Sequence, residues 1–149
     1  MVLGIILGIL FIALAAWICI KYFVLLGTVR IASDAFNKVH LQINKRYKLI
    51  LENLDNCKEN NDLVSETKEL ITKALDFNKQ TDGTDRIIRF ANAIFDNAEK
   101  LSITTEDSDF TAAKKYYNDC AQQLRHCTDV FPTSFMARLS EIRFIDSLK

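Results

Sequence analysis

The chain has little of the two residues that interrupt regular structure, with one proline and four glycines among 149 residues. A β-sandwich or β-barrel needs many tight turns and would carry more of both, so this scarcity favours a few long helices. Net charge is also absent, because 19 Lys and Arg residues offset 19 Asp and Glu residues. The balance excludes the strong positive field typical of nucleic-acid-binding proteins, so we expect no nucleic acid partner.

Residues that carry catalysis or bind metals are scarce too. The two histidines, His40 and His126, are not preceded by Glu at the spacing of a di-iron bundle, and no phosphate-binding glycine loop or nucleophile elbow is present. Cys120 and Cys127 lie roughly 10 Å apart on one predicted helix, too far for a disulfide. A bond from Cys57 to one of them is a minor alternative in a reducing compartment. We therefore predict no enzyme activity, no cofactor and no metal site.

The strongest feature that is present is an apolar segment at the N-terminus. No charged residue occurs from Val2 to Ile20, and about twenty such residues span the hydrocarbon core of a bilayer. We predict a transmembrane helix within residues 1–27, with Trp17, Tyr22 and Phe23 at one membrane interface. A cleaved signal peptide is the main alternative, but it would need a basic start and a small-residue cleavage site.

The charges that flank this segment predict its orientation. No basic residue precedes it, whereas Lys21, Arg30 and Lys38 follow it. Basic residues favour the cytoplasmic side, so we expect a short N-terminus outside and residues 28–149 in the cytoplasm.

Apolar residues recur at steps of three and four over most of the remaining chain, which is typical of helices that pack together. In the first helix this stripe is Val29, Ala32, Phe36, Val39, Ile43, Tyr47, Ile50, Leu54 and Cys57. Two shorter helices follow, with Asp62 and Thr84 as predicted N-caps. The most regular stripe runs from Phe110 to Phe131 and is closed by Pro132. The expected fold is all-α: an N-terminal transmembrane helix continues into an antiparallel up-and-down bundle of four helices plus a short C-terminal amphipathic helix.

Two clusters of charge have structural explanations. An acidic run before the fourth helix suits the positive end of the helix dipole and predicts capping: Glu106, Asp107 and Asp109. A basic run in the first helix is interpreted as a solvated face: Lys45, Arg46 and Lys48.

Summing helix lengths at about 1.5 Å per residue brings the end of the fourth helix back to within roughly 10 Å of the bilayer. The fifth helix, predicted from Ser134 to Leu148, would then lie near the membrane. Its residues Phe135, Arg138 and Ile142 are candidates for contact with the membrane interface. The alternative is that this helix covers the lower end of the bundle core.

The segment from Ala112 to Leu139 resembles a C-terminal sequence of the LemA family of bacterial membrane proteins. Ala113, Lys114, Tyr117 and Asn118 correspond to an Ala-Arg-x-x-Tyr-Asn element, with Lys in place of Arg, and Phe131-Pro132 corresponds to a later Phe-Pro. Ile43 to Ile50 is similar to a basic-basic-Tyr-x-Leu-Ile stretch of the family. The resemblance is to a divergent, shortened member. It implies a single-pass protein of the bacterial inner membrane with a cytoplasmic helical bundle, no established catalysis and a scaffold or adaptor role near other envelope proteins.

These observations predict a membrane-anchored interaction or scaffold module whose partners are the lipid bilayer and another membrane or envelope protein. Tyr116 and Asn118 are candidate contact residues, although Tyr116 could equally shield a helix edge and Asn118 could bond a neighbouring backbone. The second hypothesis is a self-assembling, homo-oligomeric or membrane-shaping protein that uses its C-terminal amphipathic helix.

Overall fold

The computed structural model describes residues 2–56, 61–77, 83–105, 107–130, 132–140 and 146–149, with only the backbone described at position 2. These residues form α1 Val2–Leu54, α2 Asn61–Phe77, α3 Thr84–Lys100, α4 Ser108–Asp129 and α5 Thr133–Leu139. No strand occurs among them. The prediction of an all-α fold with a long apolar N-terminal helix is confirmed.

α1 is one uninterrupted helix of 53 residues. Its side chains from Leu3 to Val24 are all exposed, and Leu25 is the first that is buried. Length and composition make this the one helix in the described part of the chain that could cross a membrane. An apolar core helix of a soluble protein would be mostly buried, whereas none of the most apolar stretch of α1 is covered by the rest of the chain.

Beyond Leu25, the buried face of α1 follows the predicted stripe. Residues at steps of three and four are almost completely buried: Ala32, Ala35, Val39, Ile43, Tyr47, Ile50 and Leu54. Val29 and Phe36 pack against this core while remaining partly exposed. Cys57, the last residue of the predicted stripe, lies outside the described residues.

α4 packs along this half of α1 in the antiparallel direction. Thr28 Oγ1 lies 3.9 Å from Cys127 Sγ, and farther along the two helices Phe36 contacts Tyr117 with ring centroids 6.2 Å apart. Thr28 is seven residues beyond Lys21, which is roughly 10 Å along a helix. The end of α4 therefore returns to the lower end of the bundle, as the sum of helix lengths predicts.

α2 and α3 pack against each other and against the upper part of α1. Gly83 lies directly before α3 and has a φ of 146°, in a region that L-residues rarely adopt. Gly83 is at the N-cap position of α3, so the prediction that Thr84 caps this helix is wrong: Thr84 is its first residue. Asp62 lies in the first turn of α2, because that helix already includes Asn61.

Arg46 is not on a solvated face, which corrects the interpretation of the basic run. It is only 7% exposed and forms an ion pair with Asp107, whereas Lys45 and Lys48 are exposed. Asp107 is the N-cap of α4, where its side chain accepts a hydrogen bond from the Phe110 N–H at 2.8 Å. Capping by the acidic run is thus confirmed at Asp107.

α5 is shorter than predicted. It ends at Leu139, where the Ser140 N–H donates to the Met136 carbonyl at 3.0 Å, and residues 146–149 are not helical. At residues 146–149, side chains from α3 and α4 bond the backbone groups that a helix would pair within itself. Ile142 and Phe131 lie outside the described residues.

Candidate interaction and membrane surfaces

The predicted membrane-interface residues of α1 lie on the exposed part of that helix. Trp17, Tyr22 and Phe23 are all exposed, and they precede Leu25, at which the bundle begins to cover α1. Together with Lys21 they form a belt of aromatic and basic groups just below the bundle. Such side chains combine an apolar body with a polar tip and favour the boundary between lipid and water.

α5 lies beside α1 and α4 and divides into two faces. Thr133 and Ala137 are buried in the bundle, and the Thr133 hydroxyl donates to the Val130 carbonyl at 2.7 Å. Phe135 is 60% exposed and Leu139 is 71% exposed on the other face. The two roles considered for this segment are therefore compatible, because one face covers the core while the other presents apolar side chains outward.

Arg138 is an exposed basic side chain of the same helix. Ile142, the third predicted interface residue of the C-terminal segment, lies outside the described residues. The exposed face of α5 thus combines apolar Phe135 and Leu139 with a cation, a composition suited to an anionic lipid surface.

Tyr116 lies at the edge between α4 and α1. Its ring is 42% exposed, and the Lys38 ammonium of α1 lies 5.2 Å from the ring centroid. A cation above an aromatic face is attracted to the ring, so this contact links the two helices at their outer edge. Tyr116 consequently shields the helix edge and still leaves part of its own surface exposed.

Asn118 bonds the backbone of a neighbouring segment. Its Nδ2 donates to the Leu148 carbonyl at 2.7 Å, and its Oδ1 accepts from the Leu148 N–H at 2.8 Å. Both polar atoms of the amide therefore pair with one residue of the main chain. The structure accordingly gives Asn118 a contact within its own chain.

Residues 146–149, which we call the clamped segment, are held from two helices. From α3, Asn92 Nδ2 donates to the Ser147 carbonyl at 3.0 Å, and Asn92 Oδ1 accepts from the Lys149 N–H at 2.7 Å. From α4, the Tyr117 hydroxyl donates to the Asp146 carbonyl at 2.7 Å. Together with the two bonds of Asn118, these contacts pair the carbonyls of Asp146, Ser147 and Leu148 and the N–H groups of Leu148 and Lys149.

Three side chains of the clamped segment make further contacts with the bundle. Leu148 is only 2% exposed and belongs to the hydrophobic core cluster. Asp146 forms an ion pair with Arg89 at 2.7 Å, and Lys149 forms one with Asp96 at 3.1 Å. The surface that holds this segment therefore accommodates an acidic residue, a buried leucine and a basic residue.

Sequence reasoning missed Asn92, Arg89 and Asp96, all of which are on α3. Their residue types alone are ordinary for a helix surface, and their partners are more than fifty residues away along the chain. A weak signal was present at Asn92, because it directly follows the buried Ala91 and so lies at the margin of the apolar face.

The described part of the chain contains both histidines and three of the four cysteines. No group of three or more His, Cys, Asp or Glu side chains there is placed to hold a metal ion. Cys19, Cys120 and Cys127 are free thiols, and Cys57 lies outside the described residues.

Comparisons with known proteins do not assign the chain to a family. No family model matches it, and neither does any curated protein or any solved structure.

Proposed function

We propose that the chain is a single-pass protein of a bacterial inner membrane, in which residues 1–27 anchor a cytoplasmic interaction module formed by residues 28–149. One observation carries the anchor: α1 is exposed and almost entirely apolar from Leu3 to Val24. Exposing apolar surface to water costs about 25 cal/mol per Å². Roughly twenty residues of helix match the hydrocarbon thickness of a bilayer, which removes this cost.

The orientation of the proposed anchor depends on Lys21 and Arg30, which follow the apolar segment closely. Basic residues near a transmembrane helix favour the cytoplasmic side. This supports an N-terminus outside the membrane and a bundle in the cytoplasm.

Protease protection in membrane vesicles tests the anchor and its orientation. We expect the chain to resist alkaline extraction, to keep its N-terminal residues, and to be digested down to its anchor in inside-out vesicles but not in right-side-out vesicles. Changing Lys21 and Arg30 together to Glu should produce a mixed orientation. The same change at the exposed Lys45 and Lys48 is the matched control and should leave the orientation unchanged, because these residues are too far from the membrane. A soluble, cleaved product would overturn the proposal.

The interaction role is supported by the exposed edge between α1 and α4, where Tyr116 and Lys38 meet. The resemblance of its sequence to LemA proteins also supports this role. That this chain is related to them is itself part of the proposal. A photo-reactive amino acid at Tyr116 should cross-link to another envelope protein in intact membranes. A photo-reactive amino acid at the exposed Lys73 of α2 is the control for nonspecific capture. Equal products from both positions would contradict a specific contact at Tyr116.

Self-assembly at the membrane is the second candidate function, and the exposed Phe135 and Leu139 of α5 favour it. The short α5, with seven residues, offers little length for reshaping a bilayer. Cross-links between copies of this chain alone would favour self-assembly over an adaptor role.

A further inference from the structure

The clamped segment fills a groove between two helices that do not touch through their backbones. Within the described ranges, no Cα atom of α3 comes within 8 Å of one in α4. Residues 146–149 lie in this α3–α4 groove and bridge the helices through Asn92 on one side and Asn118 on the other.

The two asparagines recognise the main chain. Each amide both donates to a carbonyl and accepts from an N–H of the clamped segment, as a neighbouring β-strand would. This pairing requires a main chain whose N–H and C=O groups are not already paired within a helix. It does not depend on the side chains of the bound segment. It is the way in which extended peptides are commonly bound by proteins.

Selectivity for sequence comes from three positions of the segment. Leu148 supplies the buried side chain, Asp146 faces Arg89, and Lys149 faces Asp96. The groove is therefore complementary in charge and shape to an acidic residue, a spacer, a leucine and a basic residue in succession.

The segment is held by exposed ion pairs, main-chain hydrogen bonds and one buried side chain. Its two ion pairs are solvent-exposed, and such pairs contribute little to binding. Only Leu148 is buried, so the affinity depends on one anchor and on main-chain hydrogen bonds. A small interface of this kind is typical of short peptide motifs, which bind weakly and are released readily.

We propose that the α3–α4 groove is a recognition site for an extended peptide of another protein with the pattern acidic–x–Leu–basic, and that residues 146–149 occupy it as an internal competitor. This inference rests on the proposed interaction function and specifies its binding site. A tethered segment has an effective concentration in the millimolar range, so a partner must compete with it. The segment thus occupies the groove until a ligand that binds more tightly, or that binds at several sites at once, displaces it.

A peptide-binding experiment on the full chain in nanodiscs tests the groove. The probe is a fluorescent peptide with the sequence of residues 143–149, and binding is followed by anisotropy. Leu148→Ala in the chain removes the anchor of the internal competitor and leaves the groove residues intact. We expect this variant to bind the peptide at least about tenfold more tightly than the wild-type chain, because competition by the tethered segment is weakened.

Matched controls distinguish binding of the peptide in the α3–α4 groove from its nonspecific adhesion to the protein. In the Leu148→Ala background, changing Asn92 and Asn118 together to Ala should abolish binding. The same two-residue change at the exposed Asn37 and Asn53 of α1 should not. A probe in which the leucine is replaced by alanine should bind at least about tenfold more weakly, because it lacks the one buried side chain.

Several results would overturn the proposal. One is a Leu148→Ala chain that is still folded and yet binds no peptide at about 1 mM, the range of the tethered competitor. Another is binding that survives loss of both groove asparagines. A third is concentration-dependent dimerisation that Leu148→Ala abolishes without any peptide binding, which would assign the groove to a second copy of this chain.

A second measurement covers the case in which Leu148→Ala does not fold. A peptide with a photo-reactive leucine, added in excess to the wild-type chain, should form adducts on α3 and α4, and adducts elsewhere would contradict the groove assignment. Failure of the peptide-binding proposal is distinguishable from failure of the proposed function. Membrane extraction and vesicle orientation test the anchor without the peptide, and cross-linking from Tyr116 tests a different surface.

Discussion

Two buried tyrosines differ in the fate of their hydroxyl groups. Tyr47 and Tyr117 are both completely buried, and burial raises the pKa of both phenols, so both stay protonated at any physiological pH. The Tyr117 hydroxyl donates to the Asp146 carbonyl. Within the described part of the chain, the Tyr47 hydroxyl has no hydrogen-bond partner. A buried polar group without a partner costs about 1–3 kcal/mol.

The same substitution should therefore have opposite effects at the two positions. Tyr47→Phe removes an unpaired hydroxyl and should increase the free energy of unfolding by up to about 1 kcal/mol. Tyr117→Phe removes a donor and leaves the Asp146 carbonyl unpaired, which should cost about 0.5–1.5 kcal/mol. Thermal unfolding followed by circular dichroism in detergent micelles measures both. Equal destabilisation by the two variants would mean that the Tyr47 hydroxyl is paired after all.

Burial of single residues could be predicted from periodicity, but their polar partners could not. The stripe through Ile43, Tyr47 and Ile50 follows from sequence spacing. Arg46 is three residues after Ile43 and four before Ile50, so its position already indicated burial. Its charge instead led to the interpretation that it lies on a solvated face. Asp107, its partner, is 61 residues away, and no local pattern connects the two.

At the scale of elements, the start of α4 depends on a carboxylate with two roles. The Phe110 N–H and the Arg46 guanidinium hold the pKa of Asp107 below its usual range. A carboxylate with a lowered folded-state pKa stabilises the fold above its unfolded value of about 4. That contribution is lost as the pH falls through the folded-state pKa.

Two substitutions at Asp107 should separate capping from charge. Asparagine can still accept from the Phe110 N–H but cannot pair ionically with Arg46, whereas alanine can do neither. At pH 7 the melting temperature should decrease in the order wild type, Asp107→Asn, Asp107→Ala. The difference between wild type and Asp107→Asn should shrink as the pH falls below about 4, where the unfolded chain takes up the proton, and through the lowered folded-state pKa of Asp107. A difference that stays constant between pH 7 and pH 3 would show that the charge of Asp107 plays no part.

The turn before α3 depends on a glycine. A Cβ atom at Gly83 would lie 2.8 Å from the Phe77 ring, and its φ of 146° disfavours any other residue. We expect Gly83→Ala to lower the free energy of unfolding by about 1–3 kcal/mol. Gly27→Ala is the control, since nothing lies within 4 Å of a Cβ there, and the helical position should gain up to about 1 kcal/mol. Chemical unfolding in micelles measures both, and equal effects would contradict strain at Gly83.

The existence of the helices was predictable from the sequence, whereas the end of the last helix was not. The apolar period continues past Leu139 through Ile142 and Ile145, so the pattern predicts a helix up to Leu148. The pattern contains no information about Asn92 and Asn118, which compete for the backbone of the last residues from distant elements. Tertiary hydrogen bonds therefore override the local signal at this end.

At the scale of the whole molecule, α1 is both the apolar segment and the central element of the bundle. Because α4 runs back along it, the short α5 lies beside the point at which the exposed part of α1 ends. The exposed Phe135 and Leu139 thus place two apolar side chains at this end of the bundle. A bilayer around α1 would meet these side chains at its surface.

Depth-dependent quenching of tryptophan fluorescence tests this arrangement. The chain has one tryptophan, Trp17, so Trp17→Phe combined with Phe135→Trp leaves a single reporter on α5. In liposomes with brominated acyl chains, we expect strong quenching of the wild type and clear quenching of the Phe135→Trp variant. Leu41→Trp in the same background is the control. Leu41 is exposed but lies about 30 Å beyond Lys21 along α1, so its fluorescence should be unaffected. If the Phe135→Trp variant behaved like the Leu41→Trp control, α5 would have to lie clear of the bilayer.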